Sequence, residues 1–257
     1  MEMLEGGREN AVFLDGKNVV RPLNPWSSTI HRLLSHYQAE GLTETPRLVS
    51  TTNANEVLSY VEGDTYNYPL AGAIASQTAL VSAAKLLRAL HDASVSFIQR
   101  NDIHDFPWML PIRVPSEVVC HGDFTPYNVA LSGSEVTGAF DFDTAHPAPR
   151  VWDVAFSVYC WAPFKTDIND RLGTLDDQIE RAKQFCDGYG LGTSDREKLV
   201  GVMIDRIQSL VDYMMEQAEN GDVHIQKNIE DGHHLTYLKD IENLRSNKNA
   251  ITYALKS

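Results

Sequence analysis

The apolar residues of this chain change their spacing once, near residue 63, and that change limits the fold more than any other feature of the sequence. Before it, "AVFLDGKNVVRP" reads as two short strands around an Asp-Gly turn, and "RLVSTT" and "EVLSYVEG" read as two more. One helix interrupts them: "NPWSSTIHRLLSHYQAEG" has Pro25 and Ser27 or Ser28 as start signals, apolar Ile30, Leu33 and Leu34, and Gly41 as the stop. After "EGDTYNYP" the spacing becomes three and four, first in "SQTALVSAAKLLRALHDAS". Two further helices follow in "LDDQIERAKQFCDGYG" and "SDREKLVGVMIDRIQSLVDYMMEQAENG", where Met203, Met214 and Met215 suggest a core stripe. A weaker helical pattern runs from Asn228 to Leu255. The pattern predicts an α+β chain with a small sheet-rich part and a larger, mainly helical part.

Composition narrows the function classes. The chain has 257 residues, 43% apolar and 22% charged, which suits a globular protein with a sizeable core. No apolar run approaches the length of a membrane span. The start, "MEMLEGGREN", lacks the basic and apolar stretches of a secretory signal, so the expected location is cytoplasmic. Cys120, Cys160 and Cys186 form no CxxC pair and are expected to be reduced core thiols. A net charge of -13 argues against nucleic acid or an anionic membrane as partner and would welcome a cationic small substrate, although solubility alone also explains it.

Chemistry concentrates in "VVCHGDFTPYNVALSGSEVTGAFDFD", residues 118–143. Its short apolar runs put Asp123 and Asp141 at strand ends, and the Gly-Ser pair predicts a hairpin that returns Asp141 to the neighbourhood of Asn128. A carboxylate and an amide oxygen then face the same space, and hard oxygen donors without thiolate suit Mg2+. Glu135, in the turn, is expected to be solvated. Asp123, five residues before Asn128, lies far enough along the loop to face a substrate hydroxyl and accept its proton. Phosphoryl-transferring kinases divide the labour in this way, with an aspartate base, an asparagine five residues later on magnesium and a further aspartate on magnesium.

The pattern "HGDFTPYN", followed thirteen residues after Asn128 by "DFD", resembles the signature of aminoglycoside phosphotransferase-like kinases, a branch of the protein-kinase-like fold. The resemblance covers most of the chain and is sharpest over residues 120–153. It implies a two-lobe α+β fold: a sheet-rich N-lobe at 1–58, a hinge at 59–63 and a mainly helical C-lobe at 64–257. It implies ATP and Mg2+ as cofactors and transfer of the γ-phosphoryl group to a hydroxyl of a small molecule. Asp123 would be the catalytic base, with Asn128 and Asp141 on magnesium. His121 would brace the loop, and Asp153, in "VWDVAF", would accept hydrogen bonds from it; an N-cap role alone is the rival reading for Asp153, and the two are compatible.

Nucleotide contacts follow from the same resemblance. Gly6 and Gly7 would let backbone amides approach phosphate, and Ser59, Tyr60 and Val61 would offer backbone hydrogen bonds to adenine. Arg21 stands where kinases usually place a lysine on the α- and β-phosphates. An arginine can hold phosphate through its fork, with a geometry unlike that of an ammonium. The helix glutamate that normally pairs with this cation has no counterpart before Glu40. Three arrangements stay open: Glu40 reaches Arg21, His31 and water take over, or no such pair exists. The acceptor, in this family, binds near the C-terminal helices, where Asp143 and the acids of "DDQIERAK", "DREK" and "DYMMEQAE" could meet ammonium groups. An aminoglycoside or another amine-bearing metabolite is the expected acceptor, and antibiotic resistance one consequence.

Two rivals use the same residues. Metal-dependent hydrolysis through His121, Asp123, Asp141, Asp143 and His146 would need a fuller ligand set, and no HExxH motif occurs. The adjacent His233 and His234 would face different ways on a helix. A catalytically inactive nucleotide-binding module is the other rival, motivated by Arg21 and the missing helix glutamate.

Overall fold

A computed structural model describes residues 2–4 and 12–256. The chain divides into two units, the first made of residues 1–65, 85–124 and 128–150, the second of 66–84, 125–127 and 151–257.

The first unit is built on a five-stranded antiparallel sheet. In chain order its strands are β1 (Glu2–Met3), β2 (Phe13–Asp15), β3 (Asn18–Pro22), β4 (Leu48–Thr51) and β5 (Asn55–Ser59), arranged β1-β2-β3-β5-β4. The β2–β3 hairpin forms where the sequence places it, but its loop is Gly16–Lys17, because Asp15 pairs with Asn18 inside the ladder. Gly16 supplies the positive φ, 64°, that a two-residue hairpin loop requires. In the β3–β5 ladder Arg21 lies directly opposite Glu56. Helix α1 (Ser27–Ala39) buries Ile30, Leu33, Leu34 and Tyr37, a stripe at helical spacing.

The same unit contains the C-terminal part of α2 (Gln77–Arg100), which continues one and a half turns beyond its sequence pattern. Two small ladders complete it. Strand β6 (Val118–Cys120) pairs with β9 (His146–Ala148), and β7 (Val129–Ser132) pairs with β8 (Glu135–Ala139). Strand β9, sequence HPA, gave no alternating pattern and was not expected. At Gly63, φ is 144° and an added Cβ would lie 2.6 Å from the Leu131 carbonyl oxygen. That close approach lets Asp64 and Leu131 exchange two backbone hydrogen bonds of 2.9 Å, tying the segment after β5 to β7.

The second unit is helical. Helix α3 (Arg150–Trp161) is buried along nearly its whole length, and α4 (Leu175–Tyr189) starts with a capping box between Thr174 and Asp177. Helix α5 (Thr193–Glu219) packs mainly on α7 (His233–Lys256), with the short α6 (Val223–Glu230) before it. The single weak helix expected from 228 to 255 is therefore two, broken at Gly232, whose φ is 79°. Met203 and Met214 join the core, whereas Met215 is exposed. The buried Asp240 is satisfied within the unit: it accepts from the Tyr159 hydroxyl at 2.6 Å, the Thr166 amide at 2.6 Å and the Thr166 hydroxyl at 2.7 Å. The Lys165 ammonium lies 3.8 Å from the centre of the Tyr159 ring, with Tyr237 and Tyr68 also within 6 Å. Cys120, Cys160 and Cys186 are buried and form no disulfide with one another, as expected. Among the described residues no helix is long and apolar enough to cross a membrane.

Candidate active site

Strand β6 leads straight into the loop His121–Asn128. His121 is buried, and its Nε2 donates to the Phe140 carbonyl at 3.0 Å. That bond fixes the tautomer, so Nδ1 can accept the Asp123 amide at 3.4 Å. Between them, Gly122 has φ 83°, and a Cβ there would sit 2.3 Å from the Thr144 carbonyl oxygen. The glycine in "HGD" is thus required by the close approach of residue 144, and Thr144 Oγ1 returns a hydrogen bond to the His121 carbonyl at 3.0 Å.

Asn128 closes the loop. Its Nδ2 donates to both the backbone oxygen and the Oδ2 of Asp123 at 2.9 Å, and its carbonyl accepts from the Phe140 amide at 3.0 Å. The β7–β8 hairpin, turning at Gly133 with Val129 opposite Ala139, therefore delivers Asp141 beside Asn128 in the way the sequence anticipated. Asp141 has φ 60° and ψ 63°, and among the described residues it alone is a non-glycine with positive φ. Holding an aspartate there costs about 1–3 kcal/mol, which the surrounding structure must supply. Phe142, the next residue, packs 4.4 Å from the His121 ring and 6.0 Å from that of Tyr37 on α1.

Arg21 joins this group. Its Nε donates to Glu56 Oε1 at 2.5 Å, its Nη2 to Asp143 Oδ1 at 2.7 Å, and its Nη1 lies 3.6 Å from Asp141 Oδ1. Burial works against the guanidinium charge, but Asp143, Glu56 and Asp141 outweigh it and hold Arg21 above its ordinary pKa. Asp143 also accepts from Asn24 Nδ2 at 3.4 Å, so the ammonium-binding carboxylate of the sequence reading is already engaged by the chain's own cation. Glu56 has no exposed side-chain surface, and its Oε2 meets His31 Nε2 from α1. Glu40 reaches Arg100 and Ser96 instead. The partner of Arg21 is thus on the neighbouring strand. Glu56 carries little signal in the sequence, only an acid at an inward position of "EVLSY" that becomes legible once the register is known.

The remaining candidates divide. Ser59, Tyr60 and Val61 border a cleft of about 610 Å³. The Ser59 and Tyr60 amides already donate to the carbonyls of Arg47 and Lys17, both at 2.8–2.9 Å, while Val61 makes no backbone hydrogen bond among the described residues. Gly6 and Gly7 lie outside the described residues. Asp153 is buried in the first turn of α3, in the second unit. His146 Nδ1 donates to the Thr144 carbonyl at 2.8 Å, a bracing contact for the segment after Asp143.

The donor set fits a magnesium ion. Asn128 spends its amide nitrogen on Asp123, leaving its side-chain oxygen without a protein partner among the described residues, and Asp141 keeps half its side chain exposed in a strained conformation. Both offer hard oxygens, and no thiol or imidazole among the contacts described competes.

The Phosphotransferase enzyme family matches residues 99–199. The trifolitoxin immunity protein of Rhizobium leguminosarum bv. trifolii is 30% identical over 210 residues, 78% of this chain and 78% of that protein. Among solved structures, the GDP complex of wild-type aminoglycoside 2'-phosphotransferase-IIIa superposes with TM-score 0.58 and 15% identity over 96% of this chain and 92% of that one. The gentamicin complex of APH(2")-IIa gives 0.57 and 14% over 95% and 90%, and Plasmodium vivax ethanolamine kinase gives 0.59 and 12% over 87% and 75%. These structures share the kinase-like α+β fold, with a small sheet-rich N-terminal part and a mainly helical remainder. With its HGD loop, its DFD segment and this fold, the chain belongs to the Phosphotransferase enzyme family.

Proposed function

We propose that this protein is an ATP-dependent O-phosphotransferase that moves the γ-phosphoryl group to a hydroxyl of a small, amine-bearing molecule. The observation that carries the reading is the joint placement of Asp123, Asn128 and Asp141: His121 and the Phe140–Asn128 backbone bond hold the two acidic segments on one scaffold, with Arg21 against Asp141.

In this reading Asp123 accepts the acceptor's hydroxyl proton as that oxygen bonds to the γ-phosphorus and the bond to the β-phosphate oxygen breaks. Asn128 Nδ2 orients the Asp123 carboxylate for the task. Asn128 and Asp141 would hold magnesium, which when bound neutralises charge on the phosphates. Arg21 contributes a fixed positive charge beside them, and His121 and Asp153 support the loop. The N-lobe is assigned to 1–58, the hinge to 59–63 and the C-lobe to 64–257. With the Ser59 and Tyr60 amides already bonded, adenine would be met by the backbone of Val61. Catalysis of this kind is mostly positioning and electrostatics.

Two considerations support an amine-bearing acceptor: the net charge of -13, and the gentamicin and ethanolamine named for proteins of the same fold. The same charge disfavours nucleic acid and anionic membranes, and a cytoplasmic location fits. A second reading, a nucleotide-binding module without transfer, is favoured by the engagement of the Arg21 guanidinium with Glu56 and Asp143. ATP consumption measured with Mg2+ across aminoglycosides, amino alcohols, neutral sugars and a hydroxyl-bearing peptide separates the two. Acceptor-dependent consumption supports the enzyme and names the acceptor class; MgADP stabilisation with no consumption on any acceptor supports the module.

A further inference from the structure

Glu56 and Arg21 are opposite one another on β5 and β3, and both oxygens of the buried Glu56 carboxylate are committed: Oε1 to the strand cation Arg21 and Oε2 to His31 of helix α1. A fully buried carboxylate is costly unless paired in this way, so each partner fixes the other two. Beyond Glu56 the guanidinium is oriented by Nη2 on Asp143 at 2.7 Å, and Asp143 is held in turn by Asn24. An arginine has five N–H donors in a rigid planar fork. It can keep Nε on Glu56 and one Nη2 hydrogen on Asp143 while other N–H groups stay available to an anion. A lysine offers a single point of charge and cannot satisfy separate carboxylates in a fixed plane.

We propose that Glu56 and His31 are positioning residues: His31 fixes Glu56, and Glu56 fixes the plane of the Arg21 fork, which in turn sets the Asp141–Asp143 segment. This rests on the reading that Arg21 serves the nucleotide phosphates and Asp141 the magnesium. Helix α1 is thereby coupled to the phosphate site through an imidazole and a strand carboxylate instead of a carboxylate of its own. The packing of Phe142 on Tyr37 gives the same helix a second, apolar hold on the segment. Arginine at position 21 is then a requirement of the network and lysine is not a conservative replacement.

The test measures MgADP affinity by calorimetry, kcat/KM for ATP and Tm for the full chain and its variants. Glu56→Gln should weaken MgADP binding and lower kcat/KM about a hundredfold, and His31→Leu about tenfold. The double variant should be no worse than Glu56→Gln, because His31 acts only through Glu56. His31→Gln, whose side-chain amide can still donate to Glu56, should stay within about threefold of the parent, and Arg21→Lys should be no better than Glu56→Gln. Additive losses in the double variant, or parental MgADP affinity in His31→Leu, would overturn the proposal. So would losses that follow Tm and disappear when binding is measured well below it. In each of these cases turnover that is still lost in Asp123→Asn leaves the functional reading standing. Failure of the parent protein to bind MgADP overturns that reading, and the positioning role with it.

Discussion

In the first unit a buried carboxylate, Glu56, is shared between two side chains that can carry charge, Arg21 and His31; in the second, Asp240 is shared among a tyrosine hydroxyl, a threonine hydroxyl and a threonine amide. Both are fully buried. The neighbours of Asp240 are donors within the helical core, so its hydrogen bonds begin and end there. Those of Glu56 continue through Arg21 to Asp143 and to Asp141, which is half exposed and conformationally strained. A carboxylate whose contacts close on themselves serves stability. One whose contacts end at an exposed, strained acid is connected to whatever binds there.

The contrast breaks if the two acids behave alike. Asp240→Leu should cost about 3 kcal/mol in urea unfolding, since it strands the Tyr159 and Thr166 donors, while leaving KM for ATP unchanged in the folded protein. A large rise in KM would erase the distinction. Within the first unit, Gly122→Ala should cost about 2 kcal/mol and most of the activity, because the new Cβ meets the Thr144 carbonyl at a left-handed backbone position. Unaltered turnover in that variant would show that loop geometry at Asp123 is not demanding. Thr174→Ala, at the capped start of α4, should lower stability by about 1 kcal/mol with activity intact, as measured by the urea midpoint.

The smallest effect concerns Cys186. Burial pushes its thiol from an ordinary value of 9.0 up to about 12. The folded state therefore binds this proton more tightly than the unfolded chain. Its contribution to stability is complete below pH 9 and is lost as pH rises toward about 12. At pH 8 the folded protein should show no alkylation of Cys186 by iodoacetamide until denaturant opens the core, and mass spectrometry of the labelled peptide checks this.

Much of this was legible in the residues. The hairpin at Gly133 and the return of Asp141 to Asn128 follow from turn chemistry and alternation, both local signals. The spacing of α1 placed its buried stripe correctly. What escaped depends on register between distant segments. Glu56 looks like any acid in a strand until Arg21 is set opposite it, 35 residues away. Strand β9 carries a proline and only three residues, and its pairing with β6 is decided by tertiary context. The break at Gly232 was hidden because α6 and α7 carry compatible helical patterns on either side of it. Likewise, Asp143 read as a candidate for external amines because the sequence does not reveal that Arg21 reaches it.

Phosphoryl transfer with Asp123 as the proton acceptor is tested by following a labelled γ-phosphoryl group from ATP to an acceptor in the parent protein and in Asp123→Asn. Labelled acceptor is expected from the parent. From the variant, transfer should be slower by about a thousandfold, with MgADP binding retained. Transfer by Asp123→Asn at the parental rate would contradict that role for Asp123.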